Sequence, residues 1–145
     1  MKKKYNLNNL SVLLKGELLI MIIKRQITKI ITHEYPSLYP LAYFHLMFIK
    51  NVEGISQTEL AYLTDTTTPT LHRNIKTLIK EGFIVIKTSS RANENEIYLT
   101  NKGEVLVAKV CKMIDAYEDE MNLNKDNLSG INEMFVDMIN KHKTK

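Results

Sequence analysis

The spacing of the apolar residues changes once in mid-chain, at Gly82, and that change limits the fold more than any other feature. Before it, Leu71, Ile75 and Leu78 recur at intervals of four and three, which places them on one helix face. After it, Phe83-Ile84-Val85-Ile86-Lys87 is rich in β-branched residues and Glu96-Ile97-Tyr98-Leu99 alternates polar with apolar. The polar stretch from Thr88 to Asn95 lies between these two runs and predicts a β-hairpin with a long tip. Further upstream, Ser56-Gln57-Thr58-Glu59 is a capping-box sequence. The Ser56 hydroxyl can accept from the Glu59 amide while the Glu59 carboxylate reaches back to the Ser56 amide. A short helix over 57–63 then buries Leu60, Ala61 and Leu63, and Thr64-Asp65-Thr66 turns the chain. Thr67 or Thr68 caps a second helix with Pro69 in its first turn. That helix runs to Glu81 and stops at Gly82, a residue that tolerates the left-handed conformation just past a helix end.

The flanks are sparsely punctuated, which predicts long elements. Between residues 7 and 34 the one Gly or Pro is Gly16, and apolar residues at 10, 13, 14, 18, 21, 22, 27, 30 and 31 follow helical spacing. Leu19, Ile20 and Ile23 add a second apolar face. A strand through Leu18–Ile23 is the alternative, but no turn signal brackets it. A helix of about 26 residues is on the order of 39 Å long, so part of it should pack on something outside its own fold. Tyr35-Pro36 ends it, because a residue before proline avoids the α region. Pro40 is expected in the first turn of the next helix, which runs to about Lys50 with the stripe Leu41, Phe44, Met47/Phe48, before a break at Val52-Glu53-Gly54. Thr100 caps a helix over 101–121, and Asn124 a last one over 125–141 with the stripe Leu128, Ile131, Phe135, Met138, Ile139. The expected fold is mainly α with a small β-hairpin wing. It is a winged helix-turn-helix lobe over 38–103 within a single domain 1–145, flanked by long dimerisation helices at 7–34 and 101–142.

Composition excludes several classes of function. A single Cys rules out an intrachain disulfide. The longest apolar run, Leu18–Ile23, has six residues, against roughly 18 for a membrane span. The basic start Met1-Lys2-Lys3-Lys4 leads into Asn-rich polar residues, so a soluble cytoplasmic protein with no membrane partner is expected. There is no Gly-rich phosphate loop, no Ser/His/Asp order and no pair of catalytic carboxylates. No catalytic residue, no cofactor and no enzyme activity are therefore expected. His33, His45, His72 and His142 lack metal-ligand spacing, so no metal is expected either. Cys111 shares a helical stripe with Val107, Val110 and Ile114 and reads as a buried structural cysteine.

The net charge of +4 permits a polyanionic partner without demanding one. The second helix of the pair is more specific. With Leu71, Ile75 and Leu78 turned to the core, Thr70, His72, Arg73, Lys76 and Lys80 fall largely off that stripe. In a winged helix-turn-helix this helix enters the major groove of double-stranded DNA and the first helix braces it. Hydroxyls at its start, Thr67, Thr68 and Thr70, suit phosphates, which free backbone N–H groups and the helix dipole also favour. Arg73 can read a guanine or hold a phosphate. On the wing, Arg91 is the one cation between Thr88 and Asn95 and suits a narrow minor groove. An ordinary solvated helix face and a solvated loop are the plain readings of the same residues.

Several motifs in this order resemble the MarR family of transcriptional regulators over essentially the whole chain. They are Ser56-Gln-Thr-Glu-Leu-Ala-Tyr-Leu63, Thr67-Thr-Pro-Thr-Leu-His-Arg73, Leu78-Ile-Lys-Glu-Gly-Phe-Ile84 and Ile97-Tyr-Leu-Thr-Asn-Lys-Gly103. Leu99-Thr100 with Gly103 matches the family's Leu-Thr-x-x-Gly motif. The resemblance implies a homodimer, a palindromic operator and repression relieved by a small-molecule effector. The effector's place in the family would put Tyr39, Tyr43 and Met47 near it, although ordinary core packing explains these side chains equally well. Two positions depart from the pattern. The family's wing carries an Asp-x-Arg pair, where this chain has Ser90-Arg91-Ala92-Asn93, and its turn Gly is Asp65 here. The alternative function is a winged helix used for protein contacts, which would show no salt-dependent affinity for DNA.

Overall fold

The computed structural model describes residues 6–88, 95–121, 123 and 125–143 of the chain. It divides into two compact units, residues 1–40 and 41–145.

The first unit contains helix α1 (Val12–Glu34), which also runs through Leu18–Ile23 and so removes the strand alternative. It begins at Val12, five residues after the start of the predicted span 7–34. The Asn8 N–H donates to Asn6 Oδ1 at 3.0 Å and the Leu10 N–H to Leu7 O at 3.1 Å, which curls this stretch into turns. Short polar side chains compete with the helix for backbone partners in this way. Ser11, in extended conformation, is the cap, and its hydroxyl accepts from the Leu14 N–H at 3.3 Å. Ile27 and Ile31 are buried, whereas Val12 is 75% and Leu13 69% exposed and Ile20 and Met21 are exposed beside them.

The second unit runs α2 (Ala42–Asn51), α3 (Gln57–Leu63), α4 (Thr68–Lys80), β1 (Ile84–Thr88), β2 (Asn95–Leu99), α5 (Asn101–Glu120) and α6 (Lys125–Lys143). Both halves of the predicted capping box form at α3: the Glu59 N–H donates to Ser56 Oγ at 3.1 Å and the Ser56 N–H to Glu59 Oε2 at 2.9 Å. Leu60 and Ala61 are buried and Leu63 is half-buried. Pro40 falls before the cap of α2, Leu41, and not inside the first turn. Asn124, the expected cap of α6, lies outside the described residues.

The hairpin is antiparallel, with Ile84 opposite Leu99 and Thr88 opposite Asn95. The residue before α3 extends it: the Ile97 N–H donates to Ile55 O at 2.9 Å and Ser56 bridges Glu96. This tie anchors the wing to the start of the helix pair. At the other end of the pair, Gly82 adopts φ +81°, its N–H donates to Ile79 O at 3.0 Å and the Phe83 N–H to Leu78 O at 2.9 Å. These are the reverse bonds that a left-handed residue allows at a helix end.

The core of this unit gathers Leu46, Ile55, Leu60, Leu71, Ile75, Leu78, Phe83, Ile84, Ile97 and Leu106. The stripe of α2 is displaced from the predicted one. Ala42, His45, Leu46 and Ile49 are buried, Phe44 is exposed, and Leu41, Met47 and Phe48 are half-buried. Apolar residues surround α2 on every side, so spacing alone does not select its inner face, which carries the buried His45. Helix α6 carries exposed Ile131, Met134, Phe135, Val136, Met138 and Ile139.

Candidate nucleic-acid interface

Helix α4 is built as a two-faced element. Leu71, Ile75 and Leu78 are buried, and a 100° step per residue puts Arg73, Lys76 and Lys80 on the opposite face, all exposed. Thr67, Thr68 and His72 are exposed and Thr70 is half-buried. The structure thus brings together every site residue expected on this helix. Lys80 shares the outer face and extends the cationic row to the end of the helix.

Thr67 is the cap by its backbone, but its hydroxyl does not bond a first-turn amide. It donates to Thr70 Oγ1 at 2.9 Å, and Arg73 Nη2 reaches the same oxygen at 3.5 Å. Two consequences follow. The first-turn N–H groups of α4, which Pro69 lacks, carry no cap from the Thr67 side chain. Thr70 also draws the guanidinium toward the start of the helix.

Helix α4 is held at both ends. At its C-terminus, Lys102 Nζ donates to Glu81 O at 2.7 Å and lies 4.6 Å from the centre of the Phe83 ring. A cation there complements the helix dipole. Thr100 Oγ1 donates to Gly82 O at 2.6 Å and accepts from the Gly103 N–H at 3.2 Å, which caps α5. At its N-terminus, Asp65 adopts φ +49° in the turn, where the family resemblance called for glycine. Aspartate is among the few residues that tolerate this region. The Thr66 N–H donates to Ala61 O at 3.0 Å, and Thr66 Oγ1 lies 3.1 Å from Nε2 of the fully buried His45. Burial lowers the His45 pKa to about 4. Lys143 of α6 also reaches this turn, with Nζ 2.5 Å from Asp65 Oδ1.

At the wing base the Tyr98 hydroxyl donates to Glu96 Oε2 at 2.6 Å, a bond that raises the Tyr98 pKa, and Lys87 Nζ sits 4.8 Å from the ring centre. Arg91 lies outside the described residues. Tyr39 falls in the first unit, and Tyr43 and Met47 lie on α2 in the second. All three are half-buried, and burial pushes the pKa of both phenols up. Cys111 is half-buried where a buried thiol was expected. Lys102 and the His45–Thr66 pair escaped sequence reading. The position of Lys102 inside the Leu99-to-Gly103 motif was the available signal for the first, and the second pairs residues 21 apart with no local signal.

No family profile and no curated protein matches the chain. Solved structures match it over nearly its whole length. A MarR family regulator from Listeria monocytogenes, solved with a 26mer DNA, is 19% identical with a TM-score of 0.76, covering 92% of this chain and 90% of its own. The DNA complex of MepR from Staphylococcus aureus is 15% identical with a TM-score of 0.73, covering 92% and 98%. A MarR regulator from Methanosarcina mazei is 19% identical with a TM-score of 0.67, covering 89% and 97%. At these identities the likeness establishes the fold, a MarR-type winged helix. No helix among the described residues is long and apolar enough to cross a membrane.

Proposed function

We propose that the protein is a sequence-specific DNA-binding transcriptional regulator, acting as a homodimeric repressor on a palindromic operator. The observation that carries this reading is the outer face of α4. Arg73, Lys76 and Lys80 form an exposed cationic row opposite the buried stripe, with first-turn amides that Thr67 does not cap and Thr67, Thr68 and Thr70 at its start. Two of the similar structures are DNA complexes, which supports the same reading.

Fluorescence anisotropy against the DNA flanking the protein's own gene, with scrambled DNA alongside and several salt concentrations, tests it. Specific binding with a negative slope of log K on log salt is expected. Arg73→Ala should weaken operator binding by about 1–3 kcal/mol, with a smaller effect on scrambled DNA. Arg91→Ala should weaken both and reduce the salt slope by about one. Unchanged operator affinity in Arg73→Ala would remove that residue from the interface. Absence of any salt-dependent binding would favour the protein-contact alternative. A small-molecule effector beside Tyr43 and Met47 of α2 belongs to the same proposal. Its mark in this titration is a compound that releases DNA from the wild type but not from Met47→Ala.

The dimer is supported by two helices that each expose an apolar face, α1 through Val12, Leu13, Ile20 and Met21, and α6 through Phe135, Met138 and Ile139. Exposed apolar surface of this extent marks a partner surface. A second copy covering both helices would give two recognition helices for half-sites about 34–36 Å apart. Light scattering at micromolar concentration should return twice the chain mass, and a monomer there would sink the dimer.

A further inference from the structure

We propose that His45 is a positioning residue for the recognition helix α4, acting through the hydroxyls of Thr66 and Thr64 on the turn that starts it. The inference rests on the DNA-binding reading for its consequence but not for its geometry. Hydrogen counting fixes the direction of the chain. Thr64 Oγ1 lies 2.6 Å from Leu60 O, and a carbonyl can only accept, so the single Thr64 hydroxyl hydrogen is spent there. The Thr66 hydroxyl hydrogen is then directed at Thr64, whose Oγ1 lies 2.9 Å away and whose carbonyl O lies 3.4 Å away. Thr66 Oγ1 is left as an acceptor, and His45 Nε2, 3.1 Å away, is the donor. The result is one ordered run, from His45 Nε2–H to Thr66 to Thr64 to the Leu60 carbonyl at the end of α3. It joins α2, α3 and the turn before α4.

The location gives the run its function. Asp65, between the two threonines, adopts φ +49°, a region that aspartate tolerates better than most non-glycine residues. The Thr66 N–H is bound to Ala61 O, and the next residue, Thr67, caps α4 and leads to Thr70 and Arg73. Whatever fixes Thr66 fixes the entry of the DNA-reading helix. His45 comes from α2, outside the helix pair, and is fully buried, so it can impose that position from a rigid base. Networks of this kind specify one arrangement when every member is satisfied.

The test uses the full chain with Thr66→Val, which keeps the shape and removes the hydroxyl, and Thr66→Ser, which restores it. His45→Leu and His45→Gln repeat the contrast from the other side. Amide exchange is read at residues 66 and 71, with the β1–β2 amides as internal reference, and DNA binding is read on flanking and scrambled DNA. Thr66→Val should speed exchange at residues 66 and 71 relative to the hairpin by about tenfold, the scale of one lost buried hydrogen bond. It should also lower operator affinity by a similar factor while leaving scrambled-DNA affinity alone. Thr66→Ser should return both, and His45→Leu with Thr66→Val should be no worse than either alone. Exchange in Thr66→Val that rises equally at the hairpin, or equal behaviour of the Val and Ser variants, would overturn the assignment. If the wild type binds no DNA, the regulator reading fails, while the exchange comparison still decides the role of His45.

Discussion

Gly103→Ala should cost about 3 kcal/mol or more in folding free energy, a large share of what holds a domain of this size together. A Cβ at this position would stand 2.3 Å from Phe83 O and 3.1 Å from Leu99 Cδ2. Real Cβ atoms do not approach a carbonyl so closely, so one of the two backbones must move. Neither is free to do so. Phe83 O accepts the Thr100 N–H at 3.0 Å, the Phe83 N–H is bound to Leu78 O, and the Gly103 N–H is bound to the Thr100 hydroxyl. Overpacking of a rigid site ordinarily costs about 1–3 kcal/mol, and a clash with backbone on both sides lies at the upper end or above it. The same movement would pull Thr100 from Gly82 O and Lys102 from Glu81 O, which release the end of α4. Gly130→Ala is the contrast. Nothing stands within 4 Å of its Cβ, and it lies inside α6, so a gain of about 0.5–1 kcal/mol is expected. Urea midpoints of the three proteins check both. A Gly103→Ala midpoint matching the wild type would mean that the first turn of α5 does not lie against Phe83.

The Gly103 contact also shows what a sequence can disclose and what it cannot. The Leu99-Thr100-x-x-Gly103 motif was visible as a pattern, and its cause is this approach of helix to strand together with the Thr100 cap. The capping box at Ser56, the span of α3, the three buried positions of α4 and the stop at Gly82 were legible for a similar reason. Each depends on residues within four places of one another, where local chemistry decides the backbone. Asp65 in a left-handed turn was half legible: the family pattern marked the position, and the residue type disguised it. What spacing could not give was anything settled across the chain. The inner face of α2 was displaced because its apolar residues point everywhere, and the polar member that marks it, His45, finds its partner 21 residues away. The tie from Ile55 to Ile97 likewise joins segments that no local signal connects. The late start of α1 is the opposite failure: a local signal, the Asn-rich stretch before Ser11, was outweighed by apolar spacing that continued through it.

Acid should remove about 3 kcal/mol of stability through His45 alone, between pH 6.5 and about 4. The imidazole is fully buried, and burial lowers its pKa from 6.5 to about 4 because the charged form loses its hydration. Its Nε2 donates to Thr66 and the ring stays neutral in the folded protein throughout that window. The unfolded chain, with the ordinary value, takes up a proton first as pH falls. Unfolding therefore binds a proton between pH 6.5 and 4, and stability rises with pH across that interval. The contribution is complete above about pH 6.5, shrinks as pH drops toward 4, and loses no more below it. Its steepest slope is about 1.4 kcal/mol per pH unit, and the drop from 6.5 to about 4 integrates to the stated figure. Carboxylates that titrate near the lower limit are cancelled by comparison with His45→Gln, which keeps a neutral donor and cannot titrate. Urea midpoints from pH 7.5 to 4 for the two proteins should converge as pH falls, with the wild type losing the larger share. Parallel profiles would show that His45 is charged or accessible in the folded state, and the ordered run from its Nε2 would then have a different donor form.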